Sequence, residues 1–552
     1  MMVSVYKEDG SITIFMTFIF LLLFALTGAT LDSARYFSSG GYVRSSAYGA
    51  DIAIYGEYNR ELFTEYGLFG CGGFNGKGES DWLDRYQEIL QENLRERPDK
   101  QEQGALPRRY ASVYQINDIR TELEEVHFLT EEKYFRQQLR KWIAAEGLKD
   151  LGGNLVKQVL GTDQGKKEEL LKDLEKTDSL EETKEAEQTK NSVVDKGVPN
   201  NTGRGQQKPT VENPLEFLRK LLQDGVLSLV CDTGSLCERE IDTREVAGEV
   251  QDAQEGLKPK GAQSWTTGKS GLKILKKFLT QEDSMWNDEM TEDSGKKGEL
   301  IIYVTNMLES YVSEHNGSVP YGLEYLISGE KSQKEAFGAV INHLFLIRTM
   351  TNFLYVEKDP ALQAQSLETA TALAAPLMAE AFIPVIQKGI LMVLSMEEAC
   401  IDITALLQGR RVPVFKSRGN FQMQYAQICL ANRKLFHDKA KSFPKEGDRL
   451  LDGNGRTGLG YTQYLWLMLM MQSWDELYQR TLDIVQFDLR ERFNQTFTLD
   501  HCICRTGVVV TYDLPVLFNR LVDGRNYEDK IKSENSTTGM LSRQITVTYG
   551  YS

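Results

Sequence analysis

Histidine and cysteine are scarce in this chain, five and seven among 552 residues, and neither is spaced to hold a metal. No H-E-x-x-H and no C-x-x-C occurs, which removes the zinc-protease and zinc-ribbon patterns. The cysteines (71, 231, 237, 400, 429, 502 and 504) are also too few, and odd in number, for a disulfide-built fold. Cys231/Cys237 and Cys502/Cys504 are close enough in sequence to pair in an oxidising exterior, with buried free thiols as the alternative; Cys400, within an apolar helical run, reads as such a thiol. Clustered Lys and Arg are missing too. A formal charge of -15, from 64 basic and 79 acidic residues, argues against nucleic acid as a partner and against a polybasic membrane-surface module. Aromatics vanish between Ile143 and Glu216. Residues 161–213 of that stretch cannot bury enough apolar surface to offset their ordering entropy and read as a flexible polar insertion.

What the chain does have is 41% hydrophobic residues, ample for a core, in a length that allows about two to four domains. It has one uncharged, almost wholly apolar run, residues 11–31. At the helical rise this run spans about 31 Å, the thickness of a bilayer's hydrocarbon core. The preceding Lys7-Glu8-Asp9-Gly10 makes a poor secretory n-region and no clear A-x-A site follows, so the run is expected to stay as a single membrane anchor. Beyond it, Ala47, Ala50, Ile54, Tyr58, Leu62 and Tyr66 recur at spacings of three and four and predict one apolar helical stripe, interrupted at Gly40-Gly41.

From Leu300 onward the pattern is densely helical. Ala336, Val340, Leu344, Ile347, Thr351 and Leu354 form one stripe; Leu391, Leu394, Ala399, Ile403 and Leu406 form another, on a helix ending at Gly409. A third helix is predicted from about Tyr461 to Arg480. Its Leu465-Trp466-Leu467-Met468-Leu469-Met470-Met471 is too short to cross a membrane and reads as a buried core helix. Val508-Val509-Val510-Thr511-Tyr512 and Ile545-Thr546-Val547-Thr548-Tyr549 are β-branched and aromatic, the composition of strands. The expected fold is mainly α (α+β). Its layout is a short segment 1–10, an anchor 11–31, a membrane-proximal helical stalk 32–145, the insertion 161–213, a small mixed region with polar linkers 214–299, a helical-bundle body 300–490 and a β-rich C-terminal element 491–552.

Gly10-Ser11-Ile12-Thr13-Ile14-Phe15, Asp32-Ser33-Ala34-Arg35, Leu323-Glu324-Tyr325-Leu326-Ile327-Ser328-Gly329, Arg348 with Asn352, Glu398-Ala399-Cys400-Ile401-Asp402, Lys416 and Tyr461-Thr462-Gln463-Tyr464-Leu465 together carry a resemblance. The chain resembles TadE/TadG-like pilin-related single-pass membrane proteins. It is most similar to an uncharacterised Gram-positive family of large proteins from Tad or type II-type secretion loci. The resemblance implies a cytoplasmic N-terminus, an extracytoplasmic body at the cell membrane, and pilin-like or secretion-system membrane proteins as partners beside the lipid itself. It also implies a prepilin-type processing junction at Gly10 and Ser11, although Phe15 stands where pilins carry an acidic residue.

Motifs of chemistry are thin. Asp232-Thr233-Gly234-Ser235 after Leu229-Val230-Cys231 fits one half of an aspartic-protease pair, but the only second candidate, Asp293-Ser294-Gly295, has no strand before it, so an ordinary turn is expected. Gly453-Asn454-Gly455-Arg456-Thr457-Gly458 fits G-x-G-x-x-G without a βαβ unit and reads as a loop. Gly268-Lys269-Ser270 lacks the earlier glycine of a phosphate loop. Glu398 and Asp402, four apart, share one helix face, with Arg348 a plausible partner on a neighbouring helix; an acid–base pair is conceivable, and a structural ion-pair network is the favoured reading. No cofactor, metal or catalytic residue is expected. The functional expectation is a non-enzymatic, membrane-anchored extracytoplasmic component of a Tad-like pilus or secretion assembly. The alternatives are a tethered hydrolase acting on envelope polymer or peptide, or a surface adhesion or binding module.

Overall fold

The computed structural model describes residues 9–72, 78–94, 114, 116–146, 215–241, 292–377, 380–428, 432–445, 458–517 and 540–551. The insertion 161–213 and the Gly268-Lys269-Ser270 motif lie outside these residues. The fold is mainly α with a small antiparallel sheet, in two compact units: Met1–Gln138 with Phe493–Ser552, and Leu139–Arg492.

The first unit is built on α1 (Asp9–Tyr55), a single helix of 47 residues. Gly40-Gly41 does not interrupt it, contrary to the sequence expectation. A glycine in a helix interior costs about 0.5–1 kcal/mol, and here the missing side chain at Gly40 is used: a Cβ there would collide with the Arg543 guanidinium. That guanidinium lies over the Tyr36 ring, 4.9 Å from its centroid, and donates to the carbonyls of Tyr36 and Phe37. Helix α2 (Arg60–Tyr66) starts at Asn59, whose side chain accepts from the Leu62 N–H at 2.9 Å. Strand β1 (Cys71–Gly72), α3 (Glu79–Leu94) and β2 (Asn117–Phe128) follow. Then comes α4 (Glu132–Ala145), within which the chain passes from the first unit to the second.

The strand β2 lies inside the stretch expected to be helical stalk. Its Ile119, Thr121 and Leu123 alternate with charged residues, a period of two. It pairs with β3 (Cys502–Pro515), which also pairs with β1 and with β4 (Met540–Gly550), all antiparallel. The C-terminal strands β3 and β4 thus share one four-stranded sheet with β1 and β2. Val43, Ala47, Ala50 and Ile54 of α1, Trp82, Tyr86, Leu90 and Leu94 of α3, and Val508, Val510, Tyr512 and Leu514 of β3 make one core. Each fully buried Val, Leu or Ile there stabilises by about 1.5–3 kcal/mol.

In the second unit, α5 (Leu215–Val230), α6 (Glu292–Met307), α7 (Gly322–Ser328), α8 (Gln333–Lys358), α9 (Pro360–Ala374), α10 (Ile383–Leu407), α11 (Arg433–Ala440), α12 (Tyr461–Met470) and α13 (Trp474–Arg492) form a body that is helical among the described residues, apart from isolated bridges. The two stripes read from sequence lie on buried faces of α8 and α10, with Leu354 at the end of the first only half-buried. At the α8–α9 corner, Asp359 accepts from the N–H groups of Ala361 and Leu362 at 2.9 and 3.2 Å, with Pro360 opening the next helix. The helix expected over Tyr461 to Arg480 is two helices. Ser473 breaks it: its hydroxyl accepts from the Glu476 N–H at 3.3 Å, so α13 has its own N-terminal cap.

Candidate functional site

Two places in this molecule concentrate unusual chemistry, one in each unit. In the first unit it is α1 itself. Ile12, Ile14, Phe15, Phe18, Phe20, Leu21, Leu22 and Leu26 are all exposed, Phe18 and Phe20 at 70% each. The helix is long and apolar enough to cross a membrane. Its hydroxyls need no water: Thr17 donates to the Thr13 carbonyl at 2.7 Å, Thr27 to Leu23 and Phe24 at 2.9 Å, and Thr30 to Thr27 at 2.8 Å. Gly10 and Ser11 lie in the first turn, and their side chains are outside the described residues.

Immediately after the bare run, polar contacts take hold of the helix. Asp32 Oδ1 accepts from the Leu517 N–H at 3.2 Å and faces Arg35 Nη1 at 3.3 Å. Arg35 in turn donates to the carbonyls of Pro515 and Tyr114 at 3.3 and 3.1 Å. Higher up, the Ser39 hydroxyl meets Tyr512 OH and the Tyr55 OH meets the Thr506 hydroxyl, each at 3.0 Å. From Asp32 to Tyr55 a helix rises about 35 Å, and from Leu517 back to Thr506 a strand covers about 36 Å. Strand β3 therefore lies along the upper half of α1 in the opposite direction.

In the second unit the candidate site is a buried charge cluster. Arg348 on α8 and Glu398 and Asp402 on α10 come together, with their side chains 0% exposed. Asp402 Oδ2 accepts from Arg348 Nε at 3.0 Å, Arg348 Nη2 at 2.8 Å and Asn352 Nδ2 at 3.0 Å. Lys416, to which sequence spacing assigns no role, joins them: its ammonium sits 2.6 Å from both Asp402 Oδ1 and Glu398 Oε1. Glu398 also accepts from the backbone N–H groups of Gln422 and Met423. Arg348 completes its donors on the Val414 carbonyl at 2.9 Å and Tyr464 OH at 3.1 Å. Two cations face two anions and every carboxylate oxygen is engaged, the condition for a buried ion pair to be tolerated. Burial works against the charged form of Asp402, but Arg348 and Lys416 outweigh it and hold its carboxyl below the usual range. At Glu398 burial dominates over Lys416, and the carboxyl is raised.

Lys416 comes from the irregular segment after α10, where no periodicity marks a buried position. The other singled-out residues stay apart. Asp232 is exposed on a short turn after α5, 3.8 Å from Arg433, and Asp293 lies in the first turn of α6. Of the glycine-rich loop only Gly458 is described, at φ 82, where a Cβ would strike the Val412 backbone. Among the described residues no group of His, Cys, Asp and Glu could hold a metal. The six described cysteines are free thiols, so neither Cys231/Cys237 nor Cys502/Cys504 is bonded.

Two carboxylates contrast with the cluster. Glu397, next in sequence to Glu398, is buried with neither oxygen partnered among the described residues, and burial pushes it up to about 9. Asp51 on α1 is likewise buried and pushed up to about 7.

The model of a family described as a family of unknown function (DUF5702) matches residues 204–514, more than half of the chain. The match contains the whole charge cluster and excludes α1. Among curated proteins nothing matches this chain, and among solved structures nothing matches either.

Proposed function

This chain belongs to that family of unknown function, and we propose that it is a non-enzymatic, single-pass membrane protein that serves as an extracytoplasmic component of a Tad-like pilus or secretion assembly. The observation that carries this reading is α1: one unbroken helix, bare and apolar over 12–31, then captured by the sheet from Asp32 onward. Such a helix transmits a fixed orientation from lipid to folded unit. Its bare half offers apolar and small residues to neighbouring helices, and in lipid that association depends on close van der Waals packing and on polar side chains such as Thr13, Thr17 and Thr27. Its N-terminus lies in the cytoplasm and both units lie outside.

The charge cluster supports a structural role for the body. The tethered-hydrolase alternative needs a carboxylate that reaches substrate, and Glu398 and Asp402 are sealed and saturated with donors. The mechanism is tested by replacing Thr27 and Gly28 with Leu in the full chain. Co-purification with pilin-like or secretion-system membrane proteins should fall, while membrane retention and the folded units stay intact. Unchanged association would contradict lateral packing through this face.

A further inference from the structure

We infer that the end of the sheet nearest the anchor is a second membrane contact, seated at the boundary between headgroups and acyl chains. This rests on the reading that α1 lies in lipid over 12–31. The argument is positional. The apolar run ends at Leu31, and the next side chain, Asp32, holds the backbone of Leu517, the point at which the chain leaves β3. Because β3 and β4 pair in register with Leu514 opposite Leu541 and Pro515 opposite Met540, the start of β4 lies at the same level. Arg543, three residues into β4, is already on the carbonyls of Tyr36 and Phe37.

Apolar side chains are uncovered at this level. Leu517 is 37% exposed, Leu541 43% and Phe37 71%. Leu541 shares its side of β4 with the core residues Ile545 and Val547, so the buried face of the sheet runs out toward the anchor into the open. Further up the strand, exposure belongs to Gln544, Thr546 and Thr548. Leu31 to Phe37 is a rise of about 9 Å, comparable with the interfacial layer on one side of a bilayer. The occupant that fits is lipid, because this surface is continuous with the bare helix that already requires it. Arg35 and Arg543 are engaged on backbone carbonyls, so the contact is apolar rather than a response to anionic headgroups. With two points in the membrane, α1 and the sheet edge, the first unit cannot swivel about its anchor, and a fixed face is presented to neighbours.

The test uses the full chain in phosphatidylcholine vesicles, with Cys237→Ser and Cys429→Ser, and an environment-sensitive fluorophore on one new cysteine at a time. The positions are Phe20→Cys in the anchor, Leu541→Cys at the sheet end and Thr548→Cys further along β4. Nitroxide lipids labelled near the headgroup should remove most of the fluorescence at Leu541→Cys and leave Thr548→Cys unchanged; nitroxides deep in the chain should quench Phe20→Cys. Quenching at Phe20→Cys with none at Leu541→Cys overturns the second contact and spares the anchor. No quenching at either overturns both readings. Protection of Leu541→Cys from lipid nitroxide and aqueous iodide alike would mean that protein covers it, and quenching confined to anionic vesicles would mean a charge-driven contact; each overturns the inference.

Discussion

The two most intensely apolar helical runs in this chain meet opposite fates. The large apolar side chains of α1 between Ile12 and Leu31 are exposed, whereas in α12 the run Leu465-Trp466-Leu467-Met468-Leu469-Met470 is buried throughout. Composition does not separate them; length does. The first is about 30 Å long, and the ten-residue α12 is about 15 Å, half of what a bilayer core demands. The short run can be satisfied only by protein on every side, and the body of helices around it supplies that. The long run has a flank that β3 grips from Asp32 onward, and its large apolar side chains over 12–26 are exposed.

The sharpest way to break the comparison is to charge each run. Leu22→Arg with Leu26→Arg should cost about 5–7 kcal/mol of insertion and move the full chain out of the membrane fraction, with no change in the thermal unfolding of either unit. A smaller effect, confined to the body, is expected from Lys416→Met. Glu398 and Asp402 would lose a shared cation in a dry site, at about 3–5 kcal/mol, read as a lowered denaturant midpoint with membrane retention unaltered. Leu469→Ala in α12 should cost about 2–5 kcal/mol by the same readout, while Leu22→Ala in the anchor leaves the midpoint where it was.

A test of a different kind concerns Glu397. Its carboxyl keeps its proton to about pH 9 in the fold but only to about 4.5 in the unfolded chain, through burial. The unfolded state therefore binds fewer protons between these values. Stability falls as pH rises through that window, by up to about 1.4 kcal/mol per unit, and levels off above it. Glu397→Gln should flatten the dependence and raise stability at pH 8; an unchanged slope would contradict the assignment.

Much of this architecture is legible before any coordinates. The long apolar helix follows from an uncharged stretch of bilayer length, β3 and β4 from their β-branched runs, and the α8 and α10 stripes from spacings of three and four. Arg348, Glu398 and Asp402 could be grouped because helical periodicity puts the two acids on one face. Lys416 could not be given its role, since its place depends on how an irregular segment folds back, and local spacing carries no trace of that. Other signals were present and outweighed. Ile119, Thr121 and Leu123 alternate as a strand within a charge-rich stretch, and Ser473-Trp474-Asp475-Glu476 has the pattern of a helix start inside a run that looks continuous. Gly40 looked like an interruption because its use, admitting Arg543 from a strand 503 positions later, is a tertiary fact.

The most direct measurement is alkaline carbonate extraction of membranes from cells making the full chain. The account predicts that the intact chain stays with the lipid, and that the Leu22→Arg, Leu26→Arg variant is released. Release of the unaltered chain into the soluble fraction would contradict it.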